Sequence, residues 1–127
     1  MKIANTKCQN VRNDISDRFL KLSAETVKLT LRLSRNIPGR HVARQLLRSA
    51  TSGGANYEEA CAAESKPDFV HKLQIVLKEL RESRYWLRVV EDSALLARED
   101  VQLHALLRET TELGNIIGKS IVTAKRP

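Results

Sequence analysis

The chain has 127 residues, of which 42% are hydrophobic and 4% aromatic, and 22 lysines and arginines against 15 acidic residues give a net charge of +7. This length predicts one domain with its own core, and the scarcity of aromatic residues, glycine and proline favours helices over a β-sandwich. No apolar run approaches the roughly 18–20 residues that cross a bilayer, and the opening MKIANTKCQN lacks the apolar region of a signal peptide, so we expect a cytoplasmic protein.

A polar N-terminal tail is predicted at residues 1–13, and the folded domain at residues 14–127. From residue 14 to residue 35, apolar side chains alternate at spacings of four and three, which is the pattern of a helix with one buried face. These positions are Ile15, Phe19, Leu22, Thr26, Leu29 and Leu33. The segment RNIPGR then ends the first helix, because Pro38 disfavours helix at the residue before it and Gly39 accepts turn geometry.

The second helix is predicted from Arg40 to about Ala63, and its apolar spacing continues through the stretch SATSGGANYEEA. The seam positions are Ala43, Leu47, Ala50, Gly54, Tyr57 and Cys61. A phosphate-binding loop would need G-x-x-x-x-G-K-[S/T] after a buried strand, and this stretch has neither the lysine nor the strand. Glycine in a helix interior is less favourable than alanine by about 1 kcal/mol, so Gly53 and Gly54 predict close approach of a neighbouring helix.

The third helix is predicted to begin within ESKPDF, where Ser65 can cap, Pro67 suits the first turn and Asp68 complements the helix dipole. Its seam positions are Phe69, Leu73, Val76, Leu80, Ser83, Leu87 and Val90. Further apolar residues widen this face beyond one stripe, namely Val70, Leu77 and Trp86.

A short connection at residues 92–100 is predicted to lead into the fourth helix. Its seam positions are Leu103, Leu106, Thr110, Leu113, Ile117, Ile121 and Ala124. Gly114 and Gly118 predict a second close helix crossing. Four amphipathic segments of about 22–26 residues with short connections predict an all-α fold, an antiparallel up-down four-helix bundle.

The sequence contains no constellation that is typical of catalysis or metal binding. Di-iron bundles use Glu-x-x-His pairs, which this chain lacks, and the acids near His71 and His104 are explained by helix starts. Cys8 and Cys61 lie far apart without a Cys/His cluster, and Cys61 is expected to be a small core residue. We therefore expect a non-enzymatic protein without a metal or cofactor.

Arginines recur at helical spacing and form two basic ridges. The ridges consist of Arg40, Arg44 and Arg48 on the second helix and Arg81, Arg84 and Arg88 on the third. Together with the net positive charge, they predict contacts with the phosphate backbone of RNA or DNA without base readout. Two alternatives stay open: a solvated face whose arginine stems cover apolar surface, and a scaffold whose charge meets an acidic protein.

Three segments, RSATSGGANYEEA, ESKPDF and KLQIVLKELRESRYWL, resemble the bacterial four helix bundle protein family, which includes proteins encoded in intervening sequences of large-subunit ribosomal RNA genes. The matching residues include Arg48, Ser52, Asn56, Glu59, Ser65 and Phe69. The resemblance implies a left-handed antiparallel bundle that assembles into a ring-like homo-oligomer, a homopentamer. A related branch, the accessory variability proteins of diversity-generating retroelements, implies nucleic acid and a reverse transcriptase as partners.

Assembly into a ring would account for the wide apolar surface of the third helix and for the small residues on the second and fourth. Structural or interface roles are then expected for Gly53, Gly54, Asn56, Tyr57, Glu59 and Trp86. Within this interpretation, Arg48 is equally placed to pair with Glu59 or to contact a phosphate. The resemblance assigns no catalytic residue.

Overall fold

The computed structural model describes the backbone of residues 6–127 and the side chains of residues 13–127. In this part of the chain all regular secondary structure is helical, and there is no strand. The helices are α1 (Thr6–Leu33), α2 (Ile37–Cys61), α3 (Lys66–Ser93) and α4 (Val101–Lys125). The prediction of an all-α fold with four helices is confirmed. α1 begins before the predicted start at residue 14, while residues 1–5 and the side chain of Cys8 lie outside the described residues.

The start of α2 differs from the prediction, which placed a break at Pro38 and Gly39. Both residues lie in the first turn of α2, where the missing N–H of proline has no helical partner to lose. The side chain of Asn36 caps this turn by accepting a hydrogen bond of 2.7 Å from the backbone N–H of Gly39. α2 therefore begins at Ile37, and only residues 34–36 connect it to α1.

The starts of α3 and α4 also carry side-chain caps. As predicted for α3, Ser65 accepts a hydrogen bond from the N–H of Asp68 at 3.2 Å, and Pro67 lies in the first turn. At α4, a carboxylate oxygen of Asp100 accepts from the N–H of Leu103 at 3.0 Å. Each cap satisfies a backbone donor that the helix itself leaves unpaired.

Cross-helix pairs show that neighbouring helices run antiparallel. The pairs are Arg18–Glu109 and Arg32–Asp100 between α1 and α4, Arg48–Glu79 and Glu59–Lys72 between α2 and α3, and Arg84–Thr111 and Lys66–Arg126 between α3 and α4. In these three pairs of helices, residue numbers rise along one helix as they fall along the other, and the same holds for α1 and α2, where Phe19 contacts Tyr57 and Leu33 lies beside Gly39. Each helix packs on the next in the chain, and α4 closes on α1, so α1 and α3 lie diagonally across an up-down bundle.

The core consists mainly of the predicted seams. All six seam positions predicted for α1 are buried, and so are nearly all of those predicted for α3 and α4. The α2 seam is partly wrong, because Leu46 and Gly53 are buried while Leu47, Gly54 and Cys61 are half-buried. Leu46 and Leu47 are adjacent, so the spacing fits two registers of the helix, and the packing of α2 on its neighbours selects one.

α2 continues without interruption through SATSGGANYEEA, which excludes a phosphate-binding loop there. A Cβ atom on Gly53 would lie 3.7 Å from the Cβ of Glu79 in α3, and one on Gly54 would lie 3.5 Å from the Oγ of Ser23 in α1. Neighbouring helices do approach both glycines, but at ordinary van der Waals distance. The predicted close crossing at Gly118 is wrong, because a Cβ there would meet no atom within 4 Å.

Candidate nucleic-acid interface

Two arginines of α1 form ion pairs that hold α1 against α4. Arg18 donates from Nε and Nη2 to the two carboxylate oxygens of Glu109, at 3.0 and 2.5 Å. This bidentate contact raises the pKa of Arg18 above its ordinary value. Arg32 pairs in the same way with Asp100, its Nη1 lying 3.1 Å from Oδ1. The positive charge of both arginines is therefore compensated within the subunit.

Arg48 is also ion-paired, in this case between α2 and α3. Its Nη1 lies 3.4 Å from Oε2 of Glu79, a buried residue with 6% exposure, and its Nη2 contacts Glu82. From the sequence, Arg48 could pair with Glu59 or contact a phosphate. In the structure it pairs with two other acids, Glu79 and Glu82. Glu59 instead lies 3.6 Å from the Nζ of Lys72. Arg48 thus compensates a buried carboxylate, and we leave it out of the candidate interface.

The groove between α3 and α4 carries a different set of basic residues, which we call the α3–α4 basic surface. It consists of Arg81, Arg84 and Arg88 from α3, Arg108 and Lys119 from α4, and Arg126, which directly follows α4. Within the described part of the chain, none of these six side chains forms an ion pair. Among the residues whose side chains are described, two acids line the same groove, Glu91 and Glu112. The surface therefore has a net positive charge.

The structure divides the six predicted arginines among three environments. Arg81, Arg84 and Arg88 lie together on the α3–α4 basic surface, and Arg48 is ion-paired. Arg40 and Arg44 are exposed on α2, which packs between α1 and α3 and does not contact α4. Of the two predicted ridges, only the one on α3 therefore lies against α4.

The basic residues of α4 were missed by the sequence analysis. Arg108 and Lys119 are about three helical turns apart and therefore lie on one face of α4, while Arg126 is the residue that directly follows the helix. That periodicity was a usable signal, but the side of the bundle it faces depends on the packing of α4 against α3.

Next to the arginines of α3 lies an aromatic cluster. Tyr85 is 59% exposed, and its ring centroid lies 5.1 Å from that of Trp86 with the rings nearly perpendicular, at 77°. Trp86 contacts the ring of His41 from α2 at 5.7 Å and donates from Nε1 to Glu82 at 3.2 Å. Trp86 also packs against the core, and Tyr85 extends from it into solvent.

Two other residues with expected structural roles make contacts within the subunit. Tyr57 is buried and stacks on Phe19 of α1, with ring centroids 5.0 Å apart. Asn56 donates from Nδ2 to the carbonyl oxygen of Ser52, one helical turn earlier, at 2.9 Å. Tyr57 is thus a core contact between α1 and α2, while Asn56 bonds back onto its own helix.

The other grooves have less favourable electrostatics for a polyanion. One of them, about 820 Å³, lies between α1 and α4 and is lined by charges of both signs, including the Arg32–Asp100 pair. Among the residues whose side chains are described, no three His, Cys, Asp or Glu are placed to hold a metal ion. Within residues 6–127, none of the helices combines the length and the hydropathy that a membrane span requires.

Fold and surface together define a basic four-helix protein. A family model described as 23S rRNA-intervening sequence protein matches residues 12–119, and the chain belongs to this family. The predicted family resemblance is confirmed. The chain is similar to a crystal structure from Bacteroides thetaiotaomicron, a protein with unknown function from the S23 ribosomal protein family. That chain is 34% identical, with a TM-score of 0.79 over 87% of this chain and 96% of the other. No curated protein matches.

Proposed function

We propose that the protein is a non-enzymatic homo-oligomeric bundle that binds RNA or DNA through phosphate contacts, as an accessory or adaptor protein. The observation that carries this proposal is the α3–α4 basic surface, whose six cations have no ion-pair partners among the described residues. Unpaired arginine and lysine side chains can replace the counterions of a phosphate backbone, which gives affinity that falls steeply with salt.

A merely solvated face would not explain why the charges are distributed in this way. Arg18, Arg32 and Arg48 each lie opposite an acid of another helix, so the bundle does compensate arginines at its other seams. In the α3–α4 groove the carboxylate of Glu91 lies 3.5 Å from Nε2 of His104 rather than on an arginine. The excess positive charge there is left available to a ligand.

The extent of the surface favours a polymer over a small anion. Arg108 and Lys119 lie about 17 Å apart along α4, from the rise of 1.5 Å per residue, and Arg126 follows the end of the helix. A single phosphate or carboxylate would contact only one end of that length. An extended polyanion can contact basic residues of both helices at once.

Self-association is proposed to use another part of the molecule, the outer side of α1. We define the α1 apolar stripe as the residues at helical spacing Leu20, Ala24, Val27 and Leu31. Leu20 and Leu31 are 70% and 72% exposed, which is unusual for leucine side chains that share one helix face. A second copy is the proposed occupant, because the family resemblance implies a ring-like homopentamer.

The wide apolar face of α3 does not itself require an oligomer. The additional apolar residues of α3, Val70, Leu77 and Trp86, pack against the core of their own subunit and need no second copy to cover them. The α1 apolar stripe, in contrast, is exposed in the subunit. Since α1 lies diagonally opposite α3, contacts made by the α1 apolar stripe do not themselves cover the arginines of α3.

The proposal is tested by measuring binding to labelled single-stranded RNA and duplex DNA across a salt series, with light scattering on the same sample to count subunits. Replacing Arg81 and Arg88 together by glutamine should lower the slope of log affinity against log salt by about two. The matched control replaces Arg40 and Arg44, which are exposed on α2, and should leave the slope unchanged. Absence of binding at low salt by an intact oligomer would overturn the proposal. If replacing Arg40 and Arg44 lowered the salt dependence as much as replacing Arg81 and Arg88, the assignment of the site to the α3–α4 basic surface would be wrong.

A scaffold that holds another protein, such as a reverse transcriptase, is the second candidate function. The α1 apolar stripe favours it, because an exposed apolar surface can dock a different protein as well as a second copy. A pull-down that retains one protein after nuclease treatment, and loses it when Leu20 and Leu31 are replaced by glutamine, would support this candidate. Recovery of no protein would count against it.

A further inference from the structure

Tyr85 is an exposed aromatic side chain within the arginine ridge of α3. Arg81 precedes it by four residues and Arg88 follows it by three, so both arginines are its neighbours on the helix surface. The ring is not buried against the core: 59% of the residue is exposed. An aromatic face thus lies beside two cations that have no ion-pair partner among the described residues.

The position of Tyr85 is fixed from behind by Trp86. The two rings pack nearly perpendicular with centroids 5.1 Å apart, while Trp86 itself is held by its hydrogen bond to Glu82 and by contacts with the core. Glu82 is the acid next to this cluster on α3, and its charge is compensated by an ion pair with Arg48. The exposed part of Tyr85 is therefore preorganised, and its surroundings are cationic.

We propose that Tyr85 is a stacking platform for a nucleobase, and that the α3–α4 basic surface consequently binds single-stranded nucleic acid in preference to duplex. This inference rests on the proposed function and adds the class of ligand. In a single strand, a base can stack on Tyr85 while the adjoining phosphates contact Arg81 and Arg88. In a duplex the bases are already stacked on each other, so only the phosphate contacts remain.

The charge around Tyr85 favours a nucleic acid over a protein partner. Tyrosine, tryptophan and arginine are also common in the centres of protein interfaces, where they are desolvated in well-packed pockets. Here the exposed ring neighbours Arg81 and Arg88 on the surface of α3, and among the described residues these two arginines line a groove with more basic than acidic side chains. A polyanion that offers both flat bases and phosphates matches both features at once.

The test compares three oligonucleotide probes of equal length: an oligothymidylate, the same strand with abasic sites, and a duplex. The full-length protein is compared with Tyr85→Ala, which removes the ring, and with Tyr85→Phe, which keeps it. We expect Tyr85→Ala to weaken binding of the oligothymidylate by about tenfold or more, and Tyr85→Phe to change it by less than about twofold. Binding of the abasic strand and of the duplex should not depend on this residue.

A direct spectroscopic signal accompanies the affinity measurement. Trp86 is the only tryptophan in the chain and touches Tyr85, so its fluorescence should change when the oligothymidylate binds and stay constant with the abasic strand. Light scattering and thermal melting of Tyr85→Ala verify that the fold and subunit number are unchanged. A changed subunit number would place Tyr85 in a contact between copies and overturn the inference.

The outcomes separate this inference from the proposed function. If both Tyr85 variants bind the oligothymidylate equally while Arg81 and Arg88 still determine the salt slope, stacking is refuted and phosphate binding stands. If no probe binds at low salt, the proposed function fails and the inference fails with it. If Tyr85→Ala loses only a nuclease-resistant protein partner, the surface is a protein-docking site and stacking is refuted.

Discussion

Two glycines of α2 should respond in opposite ways to replacement by alanine. Gly53 lies in the middle of the helix, where a Cβ would be 3.7 Å from the Cβ of Glu79 and 4.0 Å from a ring carbon of Phe19. These are normal contact distances. Gly39 lies in the first turn, where a Cβ would be 1.9 Å from the carbonyl oxygen of Leu33 and 2.9 Å from the capping oxygen of Asn36.

The expected magnitudes follow from these distances. Gly53→Ala should stabilise the protein by about 1 kcal/mol, because alanine is the better helix former and the methyl group needs no rearrangement. Gly39→Ala should destabilise it by about 3 kcal/mol, since the backbone must shift and the cap from Asn36 is weakened. For a domain of this size, the first change corresponds to a rise in melting temperature of about 3–5 °C.

Urea unfolding followed by circular dichroism, at one fixed protein concentration, measures both effects and avoids a shift caused by a changed oligomer population. Gly118→Ala is the matched control for the propensity effect, because a Cβ there would meet no atom within 4 Å. If Gly53→Ala lowered the free energy of unfolding by 1 kcal/mol or more while Gly118→Ala did not, the packing argument would be refuted. The close approach predicted from the sequence would then be tighter than an alanine tolerates.

Two further predictions concern the ion pairs. Arg48→Ala should lower the free energy of unfolding by about 1–2 kcal/mol because it leaves the buried carboxylate of Glu79 without its cation, whereas the exposed Arg44→Ala should change it by less than about 0.5 kcal/mol in the same urea titration. Equal effects would show that the pair contributes nothing. The hydrogen bond from Arg32 lowers the pKa of Asp100 from 3.8 to about 2. A lowered pKa in the folded state means that this stabilisation is present above about pH 4 and is lost as the pH falls towards about 2. Asp100→Asn keeps an N-cap oxygen without the charge, so its unfolding free energy should vary less over that interval, and an unchanged pH dependence would contradict the assignment.

The sequence predicts α1, α3 and α4 better than α2 for a physical reason. In α1, large side chains such as Phe19 and Leu22 mark the buried face, and the contrast with the polar face is strong. The middle of α2 contains mostly alanine, serine and glycine, whose burial changes the free energy little whichever way the helix turns. With Leu46 and Leu47 adjacent, the spacing alone could not choose the register, and packing against Phe19 and Glu79 determined it.

The candidate site was predictable only in part for a similar reason. Periodicity shows that an arginine lies on the surface of its helix, but it does not show whether an acid of a neighbouring helix lies opposite. Arg48 and Arg84 have the same local pattern, yet one meets Glu79 and Glu82 and the other meets the hydroxyl of Thr111. That difference depends on how two helices are rotated and shifted against each other, which is a property of the packed core.

The contrast between the seams of the bundle links stability to binding. At the seam of α1 and α4, the arginines are neutralised and contribute to holding the helices together. At the seam of α3 and α4, the six cations outnumber the two acids among the described residues. The cations repel one another, which lowers the stability of the free protein. A bound polyanion would remove this repulsion and would also stabilise the folded state by mass action. The basic residues therefore reduce the stability of the free bundle for the same reason that they would increase its affinity for a phosphate backbone.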